Sequence, residues 1–278
     1  MDLHKDIREN IAAGSFYPQD PDVLKKQINE FLDDAESQNL KNIKALVCPH
    51  AGYIYSGQVA AHSYKQIIGR KFDCVIIIAP SHAEYFDFIS IYSGKAYRTP
   101  LGLVGVDSER SKILASQSPN IKLSLCGHRN EHSLEVQLPF LQLALGNFKV
   151  IPIVMGQQNK ENIDELGNAI GNLFKNDNIL IIASTDLSHY YPYRIAVSLD
   201  KKVEKLIKAF DIENLEDRFV SNRIEMCGGG PVVSAMIASK ILGAGSAKVL
   251  CCQNSGDVTG DRSAVVGYLS AVFYGTLI

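Results

Sequence analysis

Four short runs in this chain carry no charge and no polar alternation: "ALVCP" (45–49), "VIIIAP" (75–80), "VIPIVM" (150–155) and "ILIIAS" (179–184). Unbroken, β-branched runs of this length read as strands buried on both faces, as in a parallel sheet covered by helices. Three further runs read as additional strands: "DFISIYS" (87–93), "AKVLCCQ" (247–253) and "AVVGYLSAVFY" (264–274). Between the strands lie helical patterns at 20–37, 133–145, 159–175 and 198–210. In the first of these, Val23, Leu24, Ile28, Phe31 and Leu32 recur at helical spacing, and Pro21 stands where a first turn tolerates proline. No repeat, low-complexity tract or linker interrupts the alternation. Residues 1–278 are therefore expected to form one three-layer α/β/α domain around a mostly parallel sheet.

Composition narrows the function classes. Lys+Arg 28 against Asp+Glu 30 leaves no basic surface for a nucleic-acid partner. The opening "MDLHKDIRENIAAGSFYPQD" has no apolar signal region, and no apolar run approaches the roughly 18 residues of a membrane span. A cytoplasmic chain without a membrane partner is expected. The six cysteines include no CxxC pair, which argues against a zinc knuckle and a disulfide framework. Cys48, Cys74, Cys251 and Cys252 fall in or beside strand-like runs and are expected to be structural thiols. Side chains of the adjacent Cys251 and Cys252 should point to opposite faces of the sheet.

The polar residues collect where buried strands end. "ALVCP" runs into His50, "VIIIAPS" into His82, "ILIIAST" into Asp186 and then His189, and "KVLCCQNSG" into Asp257. Ligands of open α/β sheets bind outside the carboxyl ends of parallel strands, so these residues are expected to converge on one edge. Imidazole and carboxylate together suit a divalent first-row metal. Two histidines plus a carboxylate is the facial set of non-haem iron, while zinc hydrolases use similar ligands. His189 can act as ligand or base, with Asp186 holding its tautomer and raising its pKa. In "GHRNEHSLEVQLPFLQ" (127–142), His132 and Glu135 lie three apart at a helix start, where Ser133 is a good N-cap and Glu131 and His132 can both end a loop and enter the site, His132 as a catalytic group beside His189 and Asp186. The glycines of "CGGGPVV" (227–233) either receive an anion at a helix start or allow a tight turn and close packing. His62 lies in an amphipathic pattern and reads as structural; His4 and His128 have no comparable setting.

Six motifs, "CPHAGYIYSG", "APSHAEYF", "NEHSLEVQLPFLQ", "STDLSHYYPY", "MCGGGPV" and "SGDVTGDRSAVVGY", occur in order over nearly the whole chain. Together they resemble the Memo family, called AmmeMemoRadiSam system protein B in prokaryotes, whose fold is similar to that of class III extradiol (non-haem iron) dioxygenases. The resemblance implies His50 and His82 as metal ligands, Asp186 and His189 in the same pocket, and His189 as the base. It also implies a radical-SAM protein and a small companion protein as partners. The animal relative supplies a cysteine as third ligand near the C-terminal motif, where an ungapped match puts Val258 in this chain. On chemistry, Asp257 is the expected substitute and Cys227 the second candidate. The expected cofactor is a divalent metal, iron first, with copper or zinc as alternatives. Three functions stay open for an unidentified small-molecule or peptide substrate or partner. These are a dioxygenase-like redox enzyme, a metallohydrolase with His189 as proton shuttle, and a non-catalytic adaptor.

Overall fold

The computed structural model describes residues 6–275; His4 lies outside them. Twelve strands form one sheet: β1 Ile7–Arg8, β2 Ile43–Cys48, β3 Cys74–Pro80, β4 Ile89–Tyr92, β5 Ala96–Thr99, β6 Gly102–Val106, β7 Ile121–Ser124, β8 Lys149–Met155, β9 Ile179–Ser184, β10 His189–Tyr191, β11 Ser246–Asn254 and β12 Val265–Tyr274. The helices are α1 Pro21–Asp34, α2 Tyr53–Tyr64, α3 Ser108–Ala115, α4 His132–Glu135, α5 Leu138–Leu145, α6 Lys160–Leu173, α7 Tyr193–Lys208, α8 Ile212–Val220, α9 Gly229–Ile241 and α10 Ser255–Thr259.

The parallel heart of the sheet runs β6–β8–β3–β9–β2. Period-two alternation sorts its side chains onto two faces. Cys74, Ile76 and Ile78 of β3, with Ile181 and Ala183 of β9, pack with Leu166 of α6, Val203 of α7 and Val232 of α9. Val75, Ile77 and Ala79, with Leu180 and Ile182, pack with Ile28 of α1, Tyr64 of α2 and Leu141 of α5. Helices thus cover both faces, as the uninterrupted apolar runs require, and the architecture is a three-layer α/β/α sandwich with a parallel core. Each fully buried isoleucine contributes about 1.5–3 kcal/mol.

The edges depart from the parallel pattern. β4 runs antiparallel to β8, and β12 runs antiparallel to both β2 and β11. Only residues 255–264 separate β11 from β12, too few for a parallel crossover, so the chain reverses. The helical pattern at 133–145 splits into α4 and α5 because Pro139 lacks an N–H and crowds the carbonyl one turn back. The pattern at 198–210 extends back to Tyr193, just after Pro192. No helix among the described residues is long and apolar enough to cross a membrane.

All six cysteines are free. Cys48 and Cys74 are fully buried, whereas Cys252 is exposed on β11, outside the core its apolar neighbours suggest. A register shift between Val249 and Cys251 displaces this edge strand's pairing.

The N-terminal segment is fastened to α4 by a buried ion pair. Arg8 bonds the Glu135 carboxylate and also donates to the carbonyls of His128 (2.9 Å) and Glu131 (2.6 Å). Glu135 further accepts from the Tyr17 hydroxyl and from the N–H groups of Ile11 and Ala12 (3.0 Å each). Removing one partner of such a pair leaves an uncompensated buried charge. Arg8→Ala should therefore lower unfolding free energy by about 3–5 kcal/mol in urea titrations.

Candidate metal centre

β9 lies between β2 and β3, so the segments that follow β2 and β3 emerge about 10 Å apart on either side of it. His50 follows β2 and His82 follows β3, and their side chains lean together over the end of β9 until the ring centroids are 5.1 Å apart. The third ring arrives from outside the sheet. His132 opens α4, which is tied to β3 by the Ser133 hydroxyl donating to the Pro80 carbonyl at 3.1 Å. Its centroid is 5.0 Å from His82 and 5.7 Å from His50. One ligand nitrogen of each ring falls within 4.8 Å of the other two, an arrangement that can hold a metal ion.

Hydrogen bonding assigns the tautomers of His50 and His82. The Ser184 hydroxyl gives its proton to the Ser133 carbonyl (2.7 Å) and accepts from Gln137 Nε2 (2.8 Å). Its remaining lone pair can only accept, so His50 Nδ1, at 2.9 Å, is the protonated nitrogen and Nε2 carries the lone pair. Tyr64 donates to Gln137 Oε1 at 2.6 Å and fixes the amide orientation. On the other side, the buried Glu131 carboxylate takes His82 Nδ1 at 3.0 Å and lies 3.5 Å from His132 Nδ1. In His50 and His82 Nδ1 is hydrogen-bonded to a protein acceptor, and His132 Nδ1 lies beside the Glu131 carboxylate, so Nε2 is the nitrogen that each ring can offer a metal. Paired carboxylates and carbonyl-bound hydroxyls behind histidine are the usual outer layer of such sites.

The same contacts shape the electrostatics. Burial opposes the Glu131 charge, but the His82 ring and the N–H groups of His82 and Ser133 outweigh it and bring its pKa down to about 2. Burial also works against a charged His82, yet the Glu131 bond and charge, with Asp186 nearby, raise its pKa. His50 is held well below the usual histidine range by burial and then by the neighbouring His82 and His132. Burial likewise lowers His132.

Glu131, and not Ser133, caps α4: its side chain accepts from Ser133 N at 2.9 Å. Glu135 does not share the His132 face of the site, because it is turned toward Arg8 and Tyr17.

Asp257, the expected third ligand, is not brought to the histidines. β12 intervenes between β2 and β11, so β11 delivers Asp257 two strand spacings from β2. There it is exposed and closes a capping box on α10, accepting from Asn254 N (2.9 Å) and the Tyr193 hydroxyl (2.7 Å). His132, expected as a catalytic group, stands in the third position instead. Cys227 does reach the site: its Sγ is 3.1 Å from His50 Nε2 and accepts from Asp186 N at 3.1 Å. Burial raises its pKa, so it stands there as a thiol.

The Asp186–His189 pairing expected from their spacing is not formed. Asp186 Oδ1 accepts from the backbone N–H of His50 at 2.8 Å, and burial pushes its pKa up to about 7. Tyr190, at φ +63°, turns β10 into its bulged pairing with β12. The carboxylate beside His189 Nδ1 is Glu225, at 4.0 Å. Burial outweighs it and lowers the His189 pKa, opposite to the expected direction. His189 and Asp186 nevertheless line, with the three histidines, a single open cavity of about 730 Å³.

The glycines after Cys227 serve close packing. A Cβ at Gly228 would lie 2.1 Å from the Ser184 carbonyl oxygen, and one at Gly230 2.7 Å from Met155 Sδ. Their N–H groups are taken by Thr185 Oγ1 (2.9 Å) and Gln158 Oε1 (2.8 Å), which leaves neither for an anion. His128 is buried between the Tyr97 hydroxyl (2.7 Å) and the Ser90 carbonyl (3.1 Å), away from the cavity. His62 is partly buried on α2 and also outside it.

Sequence reasoning missed Ser184, Gln137 and Tyr64 as the groups that orient His50. The available signal was a serine closing the apolar run "ILIIAS" beside the strand that leads to His50.

Fold and site together define a three-layer α/β protein with a three-imidazole candidate metal centre at the carboxyl edge of its parallel strands. Residues 8–272 match the family described as "Memo-like protein". A MEMO1 family protein of Methanosarcina barkeri is 38% identical over 269 residues, covering 96% of this chain and 99% of that one. Another, from Aquifex aeolicus, is 41% identical over 273 residues, covering 96% and 99%. The chain belongs to the Memo family. Its fold is shared with an uncharacterized protein of Escherichia coli K12, whose crystal structure superimposes at a TM-score of 0.53 with 13% identity, covering 83% of this chain and 99% of that one.

Because Glu131 orients two of the three rings, Glu131→Gln should weaken zinc(II) binding by about 10–100-fold, measured by competition with a chromogenic chelator. Asp257→Ala should leave it unchanged. Wild-type affinity in Glu131→Gln would remove this carboxylate from the site's design.

Proposed function

We propose that this chain is a metal-dependent enzyme that holds one divalent ion on His50, His82 and His132 and acts on a small organic molecule in the cavity beside them, with non-haem iron redox chemistry as the first reading. The observation that carries it is the convergence of three imidazoles, each offering one nitrogen within 4.8 Å of the other two, with Nδ1 of His50 and of His82 held by protein acceptors. The donor set fits the group, since neutral imidazole suits iron, copper and zinc. When bound, the ion supplies a Lewis-acidic centre and, if it is iron or copper, a redox-active one.

The chain's own residues supply the rest. Ser184 and Glu131 hold the rings of His50 and His82 through Nδ1 and turn Nε2 toward the cavity. His189, kept neutral near pH 7 by burial, is suited to accept a proton from a molecule in the cavity. Asp186, pushed up to about 7, is suited to hold or release one in the same cavity. We read the activity as one step of a modification pathway shared with a radical-SAM protein and its small companion. A zinc hydrolase is the second reading, favoured by one observation. The third donor is an imidazole where iron sites often carry a carboxylate, and three-histidine sets hold catalytic zinc.

Elemental analysis of protein purified without oxygen or added metal should find one equivalent of iron, with oxygen consumption on substrate addition. Zinc with ester or amide turnover would establish the second reading. Alanine at His50, His82 or His132 should each reduce bound metal about tenfold or more, since loss of a direct ligand costs at least as much as loss of its support. His189→Ala should keep the metal and lose turnover. Full occupancy in the His50→Ala, His82→Ala double variant would sink the proposal.

A further inference from the structure

The geometry points to an organic ammonium ion as the ligand class of this cavity: a small molecule whose cationic amine is held at the rim by Tyr55, Tyr190 and Asp261 while its other end reaches the histidines. The inference rests on the reading of the cavity as the substrate site.

The cavity is polarised along its depth. Its inner wall is His50 and Asp186, both almost fully buried, beside the half-buried His132 and the more exposed His82. Its rim is exposed, with Tyr190 at 75% and Tyr55 at 38% of their full surface, beside Thr259 and Asp261. Phe16 and Tyr268 complete an aromatic lining. A cation over such rings is drawn by their negative faces, and recognition of substituted ammonium groups by several aromatics is the established use of that attraction.

The charges agree. Among the described residues no lysine or arginine lines the cavity, while two carboxylates do. Arg262, next to Asp261 in sequence, is turned away and stacks on the Tyr193 ring at 4.5 Å. Asp261 accepts from the N–H (2.9 Å) and hydroxyl (2.7 Å) of Ser263. These bonds lower its pKa and keep it ionised. A carboxylate or phosphate at the rim would meet Asp261, and the basic groups of the lining are histidines, so the rim disfavours an anion there as well as favouring a cation.

Tyr190 occupies its place at some conformational cost. It is a non-glycine residue at φ +63°, a region that L-residues seldom adopt, and it leaves its ring largely in solvent. Backbone strain held for an exposed aromatic at a cavity mouth is accounted for if the ring covers a ligand.

Three matched phenols test the proposal: tyramine (ammonium), tyrosol (neutral) and 4-hydroxyphenylacetate (anion). Each is titrated by ligand-observed NMR into the full chain, both metal-free and zinc-loaded, at fixed ionic strength. Tyramine should bind about tenfold more tightly than tyrosol in both forms, with the acid weakest in the metal-free protein. Asp261→Asn keeps an oxygen for the Ser263 bonds, and Tyr55→Leu keeps bulk without a π face. Each should reduce the tyramine preference about three- to tenfold and leave tyrosol unchanged. Equal affinities of tyramine and tyrosol, no measurable tyramine binding, or tightest binding of the acid to the metal-free protein overturns the proposal. Metal content measured on the same samples separates the two readings. Selective tyramine binding without metal uptake refutes only the metal assignment, and metal uptake without selectivity refutes only this one.

Discussion

One buried carboxylate, that of Glu131, carries the arrangement of the site. It caps α4, receives the ring and the backbone N–H of His82, and lies beside the ring of His132. The backbone carbonyl of the same residue is held by Arg8, so the N-terminal segment, the loop before α4 and the end of β3 meet at one point. A buried anion is tolerable only when its oxygens are fully engaged. Its four contacts satisfy that condition, and the groups that satisfy it are those the site needs fixed. Stability and function therefore share these bonds.

The sheet supplies the remaining constraint. Inserting β9 between β2 and β3 opens a gap between the two strand ends that bring His50 and His82, and the gap is filled by Ser184, Thr185 and Asp186 at the end of β9. Because Ser184 is paired in register with Cys48, its hydroxyl stands beside the turn that carries His50. The glycines at the start of α9 let that helix approach the same strand end closely enough to set Cys227 against His50. The result is a centre of three imidazoles framed by groups whose protonation burial has displaced from ordinary values, Asp186 upward and His189 downward. The Asp186 shift brings that carboxyl near pH 7, and the His189 shift leaves its ring neutral there.

Much of this was legible in the residues. Unbroken apolar runs such as "VIIIAP" can be solvated on neither face, so a helix-covered parallel sheet follows from them directly, and the chemistry of its carboxyl edge follows from what stands after each run. The proline in "LPFL" and the acid beside His132 were equally local signals. What the chain alone could not convey was lateral position. His50, His82 and Asp257 all follow strand-like runs, yet strand order alone decides that β2 and β3 flank β9 while β11 lies beyond β12, and this separates a candidate ligand from a helix cap. Likewise, three residues between Asp186 and His189 permit a pairing, but the long-range demand of the His50 N–H takes the Asp186 oxygen, and Glu225, far along the chain, stands beside His189 instead. Local sequence determined which residues reach the edge of the sheet. Only the tertiary structure decided which of them meet, because the spacing of non-neighbouring strands and the competition for buried hydrogen bonds exist only once the chain is folded.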